Sequence, residues 1–437
     1  MTARAPKKRS PSDQRQREPR VRRPVRTAPG KIEPLYPRQK KTVRRGLFLR
    51  LYRLFTAVPC VGREQWKQNR RRMDSYIFWV TVILVLFGLA MVYSTTSFVG
   101  DDPLAGVKKQ AFFALLGLFA MLFLSRLDYH RLLCLSWCQL YFLSFVLLVV
   151  TQFKGRSSHG KMRWIKLGPL SFQPSELMKT ALVLFFAVYL VNHFYRLSKN
   201  PRRIFWTMAF FGGIPALLVA HQNLSTGLLL GAMVFLITFL GVRDNRTHLA
   251  LAAFMLVTAY LVMHYYKKIP FLHTYQIARI ESWLHPEANA NGSGFQVRLG
   301  KYAISAGGWF GAGFGRGIVK QNGLPEPSTD FIFPVIGEEL GMVGMGVLIL
   351  LYFMLLLCIW RIAFRAPDRY GALICGGVAI HILLHIAMHV AVVTGMMPNT
   401  GVTLPFISSG GTSLLSFMGE IGLVLAVSRG VRPEKLA

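Results

Sequence analysis

The sequence predicts an all-α integral membrane protein with about ten transmembrane helices. The 437 residues are 52% hydrophobic, and their mean hydropathy of +0.38 is one that soluble domains rarely reach. Several apolar stretches also approach or exceed the roughly 20 residues that a helix needs to cross a bilayer. These stretches are too long and continuous for the strands of a membrane barrel, so helices remain as the spanning structure.

The apolar stretches also set the order of the predicted elements. Two connections, 153–175 and 267–330, are long, and no soluble catalytic domain fits between the spans. The eighth span, 331–360, is long enough to tilt or to extend beyond the bilayer. The predicted spans are 76–97, 110–126, 132–152, 176–194, 204–220, 223–241, 248–266, 331–360, 371–394 and 409–428.

The N-terminal segment 1–72 carries 23 Lys and Arg against 4 Asp and Glu, and its first part is rich in Pro and Arg. This composition predicts a largely disordered cytoplasmic tail held near anionic lipid headgroups. A nucleic-acid-binding arm is the alternative, but no nucleic-acid-binding motif accompanies the basic residues, so we expect no nucleic acid partner. The membrane domain is then 73–430, and 431–437 forms a short cytoplasmic tail.

The positive-inside rule places both termini in the cytoplasm and both long loops outside. These loops nevertheless carry many basic residues, including Arg163 in the first and Arg298 and Arg316 in the second. Basic residues in outward loops oppose the positive-inside rule, so we expect them to bind a ligand. We interpret these three as binding residues for an anionic ligand, such as a phosphate or pyrophosphate. Pairing with outer-leaflet lipid headgroups is the alternative.

Three acids stand at the end of the second loop and just inside the eighth span. Asp330 can act as a general base, as a metal ligand or as a helix cap, because Asp is a good N-cap residue. Glu338 and Glu339 lie two turns deeper. An acidic side chain inside the membrane costs free energy, and such side chains tend to face a polar cavity. We therefore predict that these two contact substrate or support the cavity wall.

Two further groups of polar residues fall inside predicted spans. Glu176 and Lys179 open the fourth span, either as a well-made helix start or as part of the lining of the cavity around Asp330. The ninth span places three histidines on one helical face, which favours a polar seam between helices over a metal site or a proton relay. They are His381, His385 and His389.

Five stretches, in this order, resemble the SEDS family (shape, elongation, division and sporulation). The resemblance covers about residues 75–430, and the wording "FIFPVIGEELG" is closer to the division branch than to the elongation branch. The stretches are "RWIKLGPLSFQPSELMK" (163–179), "GSGFQ" (292–296), "GGWFGAGFG" (307–315), "LPEPSTDFIFPVIGEELG" (324–341) and "PNTGVTLPFISSGGTSLL" (398–415).

This resemblance implies a ten-helix enzyme of the cytoplasmic (inner) membrane. It implies a peptidoglycan glycosyltransferase acting on lipid II, a disaccharide-peptide on undecaprenyl pyrophosphate, for septal wall synthesis. The family's essential aspartate corresponds to Asp330, and Ser408 of the "SSGG" stretch is a further substrate-binding candidate. The implied partners are a class B penicillin-binding protein transpeptidase and other divisome proteins, besides membrane lipids. The resemblance does not imply a particular cofactor. The alternative is a divalent cation, Mg²⁺ or Mn²⁺, that would bind the pyrophosphate.

The sequence departs from the family pattern at "HQNLST" (221–226), where Asn223 replaces an acid. An asparagine can orient a ligand by hydrogen bonding but cannot act as a base or hold a metal by charge. Three alternatives therefore stay open: an elongation-type polymerase, a lipid II flippase, and a non-catalytic scaffold that recruits a transpeptidase. A flippase predicts polar residues through the full membrane depth, whereas a polymerase predicts them gathered at the outer mouth.

Overall fold

A computed structural model describes most of the chain between Trp66 and Val431. The predicted tails 1–72 and 431–437 lie outside the described residues, apart from 66–67 and Val431. The described residues are 66–67, 73–98, 103–154, 156–158, 161–167, 170–242, 244–268, 274–285, 293–321 and 323–431.

The described residues form a helical bundle with one small sheet. Ten of the helices coincide with the ten predicted spans to within a few residues, and two shorter ones lie in the second long loop. The helices are α1 (Ser75–Thr96), α2 (Ala105–Arg126), α3 (Tyr129–Lys154), α4 (Pro174–Ser198), α5 (Pro201–Gln222), α6 (Leu224–Gly241), α7 (Asn245–Tyr265), α8 (Thr274–Leu284), α9 (Ser293–Gly307), α10 (Ile332–Arg365), α11 (Arg369–Val393) and α12 (Gly411–Ser428).

In the part of the chain that the structure describes, nine helices are long and apolar enough to cross a membrane. In α3, the apolar helical stretch Cys138–Phe153 is shorter than these nine. The fold class predicted from the sequence is therefore confirmed, and the chain is a multi-pass membrane protein.

Local sequence explains where several of these helices begin. Pro174 and Pro201 occupy the first turns of α4 and α5, where a missing backbone N–H costs nothing. Asp74 and Asp368 cap α1 and α11, because their carboxylates accept backbone N–H groups that the first turn leaves unpaired.

The core of the bundle lies around α4, α11 and α12. In α11, 78% of the most apolar window is buried inside the protein, against 6% in α7, so α7 stands at the edge. Close backbone approach holds other helices to this core. A Cβ at Gly422 of α12 would lie 2.8 Å from the carbonyl oxygen of Met121 in α2. Only glycine permits that separation.

The first long loop folds into a small antiparallel sheet that the sequence did not predict. Its strands are β1 (Arg156–Ser158), β2 (Lys161–Leu167) and β3 (Leu170–Phe172), in the order β1-β2-β3. Ile165 of β2 pairs with Phe172 of β3, directly before α4 begins. The sheet therefore fixes the entry to α4 at the same end of the bundle as Asp330, which we call the Asp330 end.

The eighth span is not one continuous helix. Gly341 has φ 69° and ψ −168°, which interrupts α10 after its first turns. The break leaves backbone groups unpaired on both sides, and the Gly-rich stretch after α9 pairs with them. The N–H of Met342 donates to Gly308 (2.9 Å), and the N–H of Ala312 donates to the carbonyl of Glu338 (2.9 Å). The Gly-rich stretch of the second long loop is thus bonded to α10.

Candidate functional site

Asp330 lies half-buried at the point where the second long loop meets α10. The helix begins after Phe331, which occupies its N-cap position and whose side chain makes no capping bond, so Asp330 is not the N-cap residue of α10. Its carboxylate approaches the loop between α11 and α12 instead. A Cβ at Gly401 would lie 2.9 Å from Oδ2 of Asp330, and Gly401 has φ +68°. Residue 401 therefore favours glycine, because its φ is positive and because a Cβ would crowd the Asp330 carboxylate.

Ser408 joins these two segments from below. Its Oγ donates to the carbonyl of Thr329 (2.6 Å), next to Asp330, and accepts the N–H of Leu404 (2.9 Å). The N–H of Ser409 donates to the carbonyl of Ser328 (2.8 Å). Ser408 is buried, so in this structure it braces the loop beneath Asp330. Its predicted contact with substrate stays a prediction.

A third segment, on α8 and α9, is bonded to the same loops. Gln296 of α9 donates to the carbonyl of Pro325 (2.8 Å) and accepts from Asn399 (2.7 Å). Arg279 of α8 donates to the carbonyl of Asn399 (3.1 Å). None of these three residues was predicted from the sequence as part of the site. Gln296 and Asn399 do fall within the family-like stretches, and that is the signal that could have found them.

Glu176 and Lys179 lie together beneath the loops around Asp330, as predicted, but both are buried. Nζ of Lys179 donates to Oε1 of Glu176 (2.8 Å) and lies 2.9 Å from Nε2 of His385. Nδ1 of His385 lies 3.1 Å from the carbonyl oxygen of Thr403. With 1% of its side chain exposed, Lys179 does not reach a ligand at the surface in this state. The pair supports the loop that carries Gly401.

Glu338 and Glu339 also face inward, and their predicted contact with substrate stays a prediction. Oε1 of Glu338 accepts the N–H groups of Ile318 and Val319 (2.6 and 2.9 Å). Glu339 is fully buried and bonds Lys320 across 2.5 Å. Oε1 of Glu338 and the carboxylate of Glu339 hold the Gly-rich stretch against α10, which agrees with the predicted support of the cavity wall.

The predicted cationic residues differ in their placement. Arg298, two residues beyond Gln296 on α9, and Arg316, in the Gly-rich stretch, are both exposed. Arg163 lies in β2, and its side chain is outside the described residues. Across the described ranges, no group of three or more His, Cys, Asp or Glu could hold a metal ion. The divalent cation named in the sequence analysis stays a prediction.

The three histidines of α11 form the predicted polar seam. His381 bonds Glu420 of α12 (2.8 Å), and His389 bonds the carbonyl of Val402 (2.8 Å), while all three rings are buried. The seam therefore runs from the bundle interior to the loop behind Asp330.

Asn223, the departure from the family pattern, is buried at the α5–α6 junction, where its backbone N–H donates to the carbonyl of Val219.

The fold and the site define a multi-pass helical membrane protein that holds a partly exposed carboxylate, Asp330, between loops at one end of the bundle. The comparisons with known proteins supply the family. Residues 74–432 match the family model FtsW/RodA/SpoVE, described as cell cycle protein. The chain belongs to this family, as the SEDS-like stretches predicted.

Relatives and solved structures agree with this assignment. Stage V sporulation protein E of Bacillus subtilis is 35% identical over 367 residues, covering 82% of this chain and 97% of the relative. A protein of Trichlorobacter lovleyi named probable peptidoglycan glycosyltransferase FtsW is 35% identical over 378 residues, covering 82% and 94%.

The fold resembles solved members of the family as well. A chain from work on the coordination of polymerization and crosslinking by a peptidoglycan synthase complex gives a TM-score of 0.65 at 28% identity, covering 82% of this chain and 98% of that one. The Thermus thermophilus rod shape determining protein RodA gives 0.57 at 26% identity, covering 83% and 98%.

Proposed function

We propose that this chain is a peptidoglycan glycosyltransferase that polymerises lipid II at the outer face of the cytoplasmic membrane, for septal wall synthesis. Several of its relatives are named probable peptidoglycan glycosyltransferase FtsW, which supports the proposal. The observation that carries the proposal is the setting of Asp330. This carboxylate is partly exposed, is not the N-cap residue of α10, and is held against Gly401 by loops that bond to each other.

The reaction joins two sugars and releases a pyrophosphate. The 4-hydroxyl oxygen of the acceptor sugar forms a bond to the anomeric carbon of the donor, and the bond from that carbon to undecaprenyl pyrophosphate breaks. The hydroxyl proton passes to Asp330, and the electron pair of the broken bond leaves with the pyrophosphate. A partly exposed carboxylate at the membrane edge suits this role, because it can reach both the substrate and water.

The leaving pyrophosphate needs cations close to the site. Arg298 and Arg316 are exposed on the loops that surround Asp330, and we assign them to the pyrophosphate together with Arg163. Arginine suits this task because its planar guanidinium can bond two phosphate oxygens at once. Lys179 is shielded here, so its contribution is to hold the loop that carries Gly401.

We further propose a class B penicillin-binding protein transpeptidase as the partner. The structural neighbour from a complex that couples polymerization to crosslinking supports this assignment. We also propose that both chain termini lie in the cytoplasm and that Asp330 lies on the outer side of the membrane. The basic turns 195–203 and 361–369 support this orientation, because short cytoplasmic loops carry an excess of Lys and Arg.

The purified full chain, with and without its transpeptidase, tests the activity on lipid II. Wild type should make glycan chains, and Asp330→Asn and Asp330→Ala should make none above background while remaining folded. Glu326→Gln is the matched control, since Glu326 is an exposed acid of the same loop. Absence of glycan chains from wild type, with and without its transpeptidase, would support the scaffold alternative, and full activity of Asp330→Ala would overturn the role given to Asp330. Transfer of labelled lipid II across vesicles without polymer would support the flippase.

A further inference from the structure

A cavity of about 550 Å³ opens between α3, α4 and α5, in the half of the bundle away from Asp330. Its walls are mainly aromatic. Tyr141 comes from α3, Tyr189 from α4, and Phe211 from α5, while Arg196 and Arg203 line it on either side of the turn between α4 and α5. A cavity of this size falls in the usual range for small-ligand sites. The proposed reaction at Asp330 does not use it.

A local irregularity of α5 forms one wall of this cavity. Residues Met208–Gly213 adopt a π-helix, which is rare and occurs often at functional sites. The wider turn frees backbone groups, and the hydroxyl of Tyr141 donates to the carbonyl of Phe211 (2.9 Å). The lining residues of α5 extend from Arg203 to Ile214, which is about 16 Å along a helix at about 1.5 Å per residue. The cavity is thus long and apolar.

The mouth of the cavity is basic and has no local acid to neutralise it. Arg196 lies in the last turn of α4 and Arg203 in the first turn of α5, and both are exposed. The sequence contains no Asp or Glu between Glu176 and Asp244. Within the described part of the chain, no ion pair joins either arginine to an acid.

We propose that this cavity binds an anionic phospholipid. The headgroup phosphate lies between Arg196 and Arg203, and one acyl chain enters the aromatic cavity along the π-helical segment. Basic pockets between transmembrane helices suit phosphate headgroups, and the length of the apolar wall requires a chain besides the phosphate. The lipid belongs to the leaflet opposite Asp330, so it is neither the donor nor the acceptor of the proposed reaction.

Trp206 lines the same cavity and reports on its occupant. The full chain is reconstituted in phosphatidylcholine vesicles that contain a minor fraction of lipid with brominated acyl chains, which quench tryptophan fluorescence on contact. The signal of Trp206 is the difference between wild type and Trp206→Phe. Brominated phosphatidylglycerol should quench this signal about fivefold more effectively than brominated phosphatidylcholine at the same fraction.

The variant Arg196→Gln/Arg203→Gln should abolish that preference. Lys199→Gln/Arg202→Gln is the matched control, because it removes the same charge from the same turn at two residues that do not line the cavity. The control should keep the preference. An equal loss in both double variants, retention in the first, or equal quenching of wild type by both lipids would each overturn the proposal.

Discussion

Nε2 of His385 lies 2.9 Å from Nζ of Lys179, and Nδ1 of the same ring lies 3.1 Å from the carbonyl oxygen of Thr403. An ammonium group has only donors, so Nε2 accepts from Lys179 and Nδ1–H donates to Thr403. Glu176 accepts a second hydrogen of Lys179 at 2.8 Å. This chain of bonds ties the start of α4 to the loop that carries Gly401.

The first prediction concerns the buried pair at the start of this chain. Lys179→Met should destabilise the protein by about 3–5 kcal/mol, because it leaves the Glu176 carboxylate buried without a counter-charge. Glu176→Gln/Lys179→Met should lose clearly less, since no charge then remains unpaired. Thermal unfolding of the purified protein in detergent measures both. A double variant as unstable as Lys179→Met would contradict the charge argument.

The second prediction concerns the contact between Gly401 and Asp330. Gly401→Ala should reduce polymerisation of lipid II at least about tenfold, because the new Cβ would lie 2.9 Å from Oδ2 of Asp330 and the backbone has φ +68°. A positive φ costs an alanine about 1–2 kcal/mol in addition to the steric conflict. The initial rate of glycan formation measures the effect.

Gly410→Ala is the control for this prediction. Gly410 belongs to the same loop, but its φ of −159° is extended and an added Cβ meets nothing closer than 3.5 Å. Its rate should stay within about twofold of wild type. If Gly401→Ala were equally active, the position of the Asp330 carboxylate would not depend on this loop.

The order and extent of the spans could be predicted from the sequence, because an apolar run of about 20 residues has one main solution in lipid. The break in α10 could not. The stretch 331–360 is apolar on both sides of Gly341, and the break is stabilised by backbone bonds from Gly308 and Ala312, some 30 residues earlier in the chain. Nothing local in the sequence specifies that pairing.

The site was also predicted only in part, because contacts with distant segments determine the rest of it. Asp330 was identifiable from its motif and its position at the mouth of a span. The inward direction of Glu338 and Glu339 depends on partners such as Lys320 and Ile318, which belong to another segment. Arg279 bonds a loop 120 residues away, so its spacing gave no signal.

The third prediction separates hydrogen bonding from packing at His389. Nδ1 of this buried ring bonds the carbonyl of Val402 (2.8 Å), next to Gly401. His389→Asn places an amide N–H near the position of Nδ1 and should keep most activity. His389→Leu leaves the carbonyl of Val402 without this donor and should lower the turnover rate about threefold to tenfold, since such a bond contributes about 0.5–1.5 kcal/mol.

Turnover and KM for lipid II, measured separately, check this prediction. A loss of turnover in the leucine variant and its rescue by asparagine would identify His389 as a positioning residue for the loop beside Asp330. Equal losses in both variants would instead mean that the ring matters only for its shape.

The fourth prediction separates backbone strain from steric conflict in the Gly-rich stretch. Gly311 and Gly315 have nearly equal φ, +79° and +78°, but an added Cβ at Gly311 would lie 2.2 Å from the carbonyl oxygen of Glu339, whereas at Gly315 it would meet nothing within 4 Å. Gly315→Ala should therefore cost about 1–2 kcal/mol from conformation alone. Gly311→Ala should cost about 1–3 kcal/mol more, because it pushes the stretch away from the broken segment of α10. Thermal unfolding in detergent compares the two variants, and similar losses would show that the close approach of Gly311 to α10 is not what holds this stretch in place.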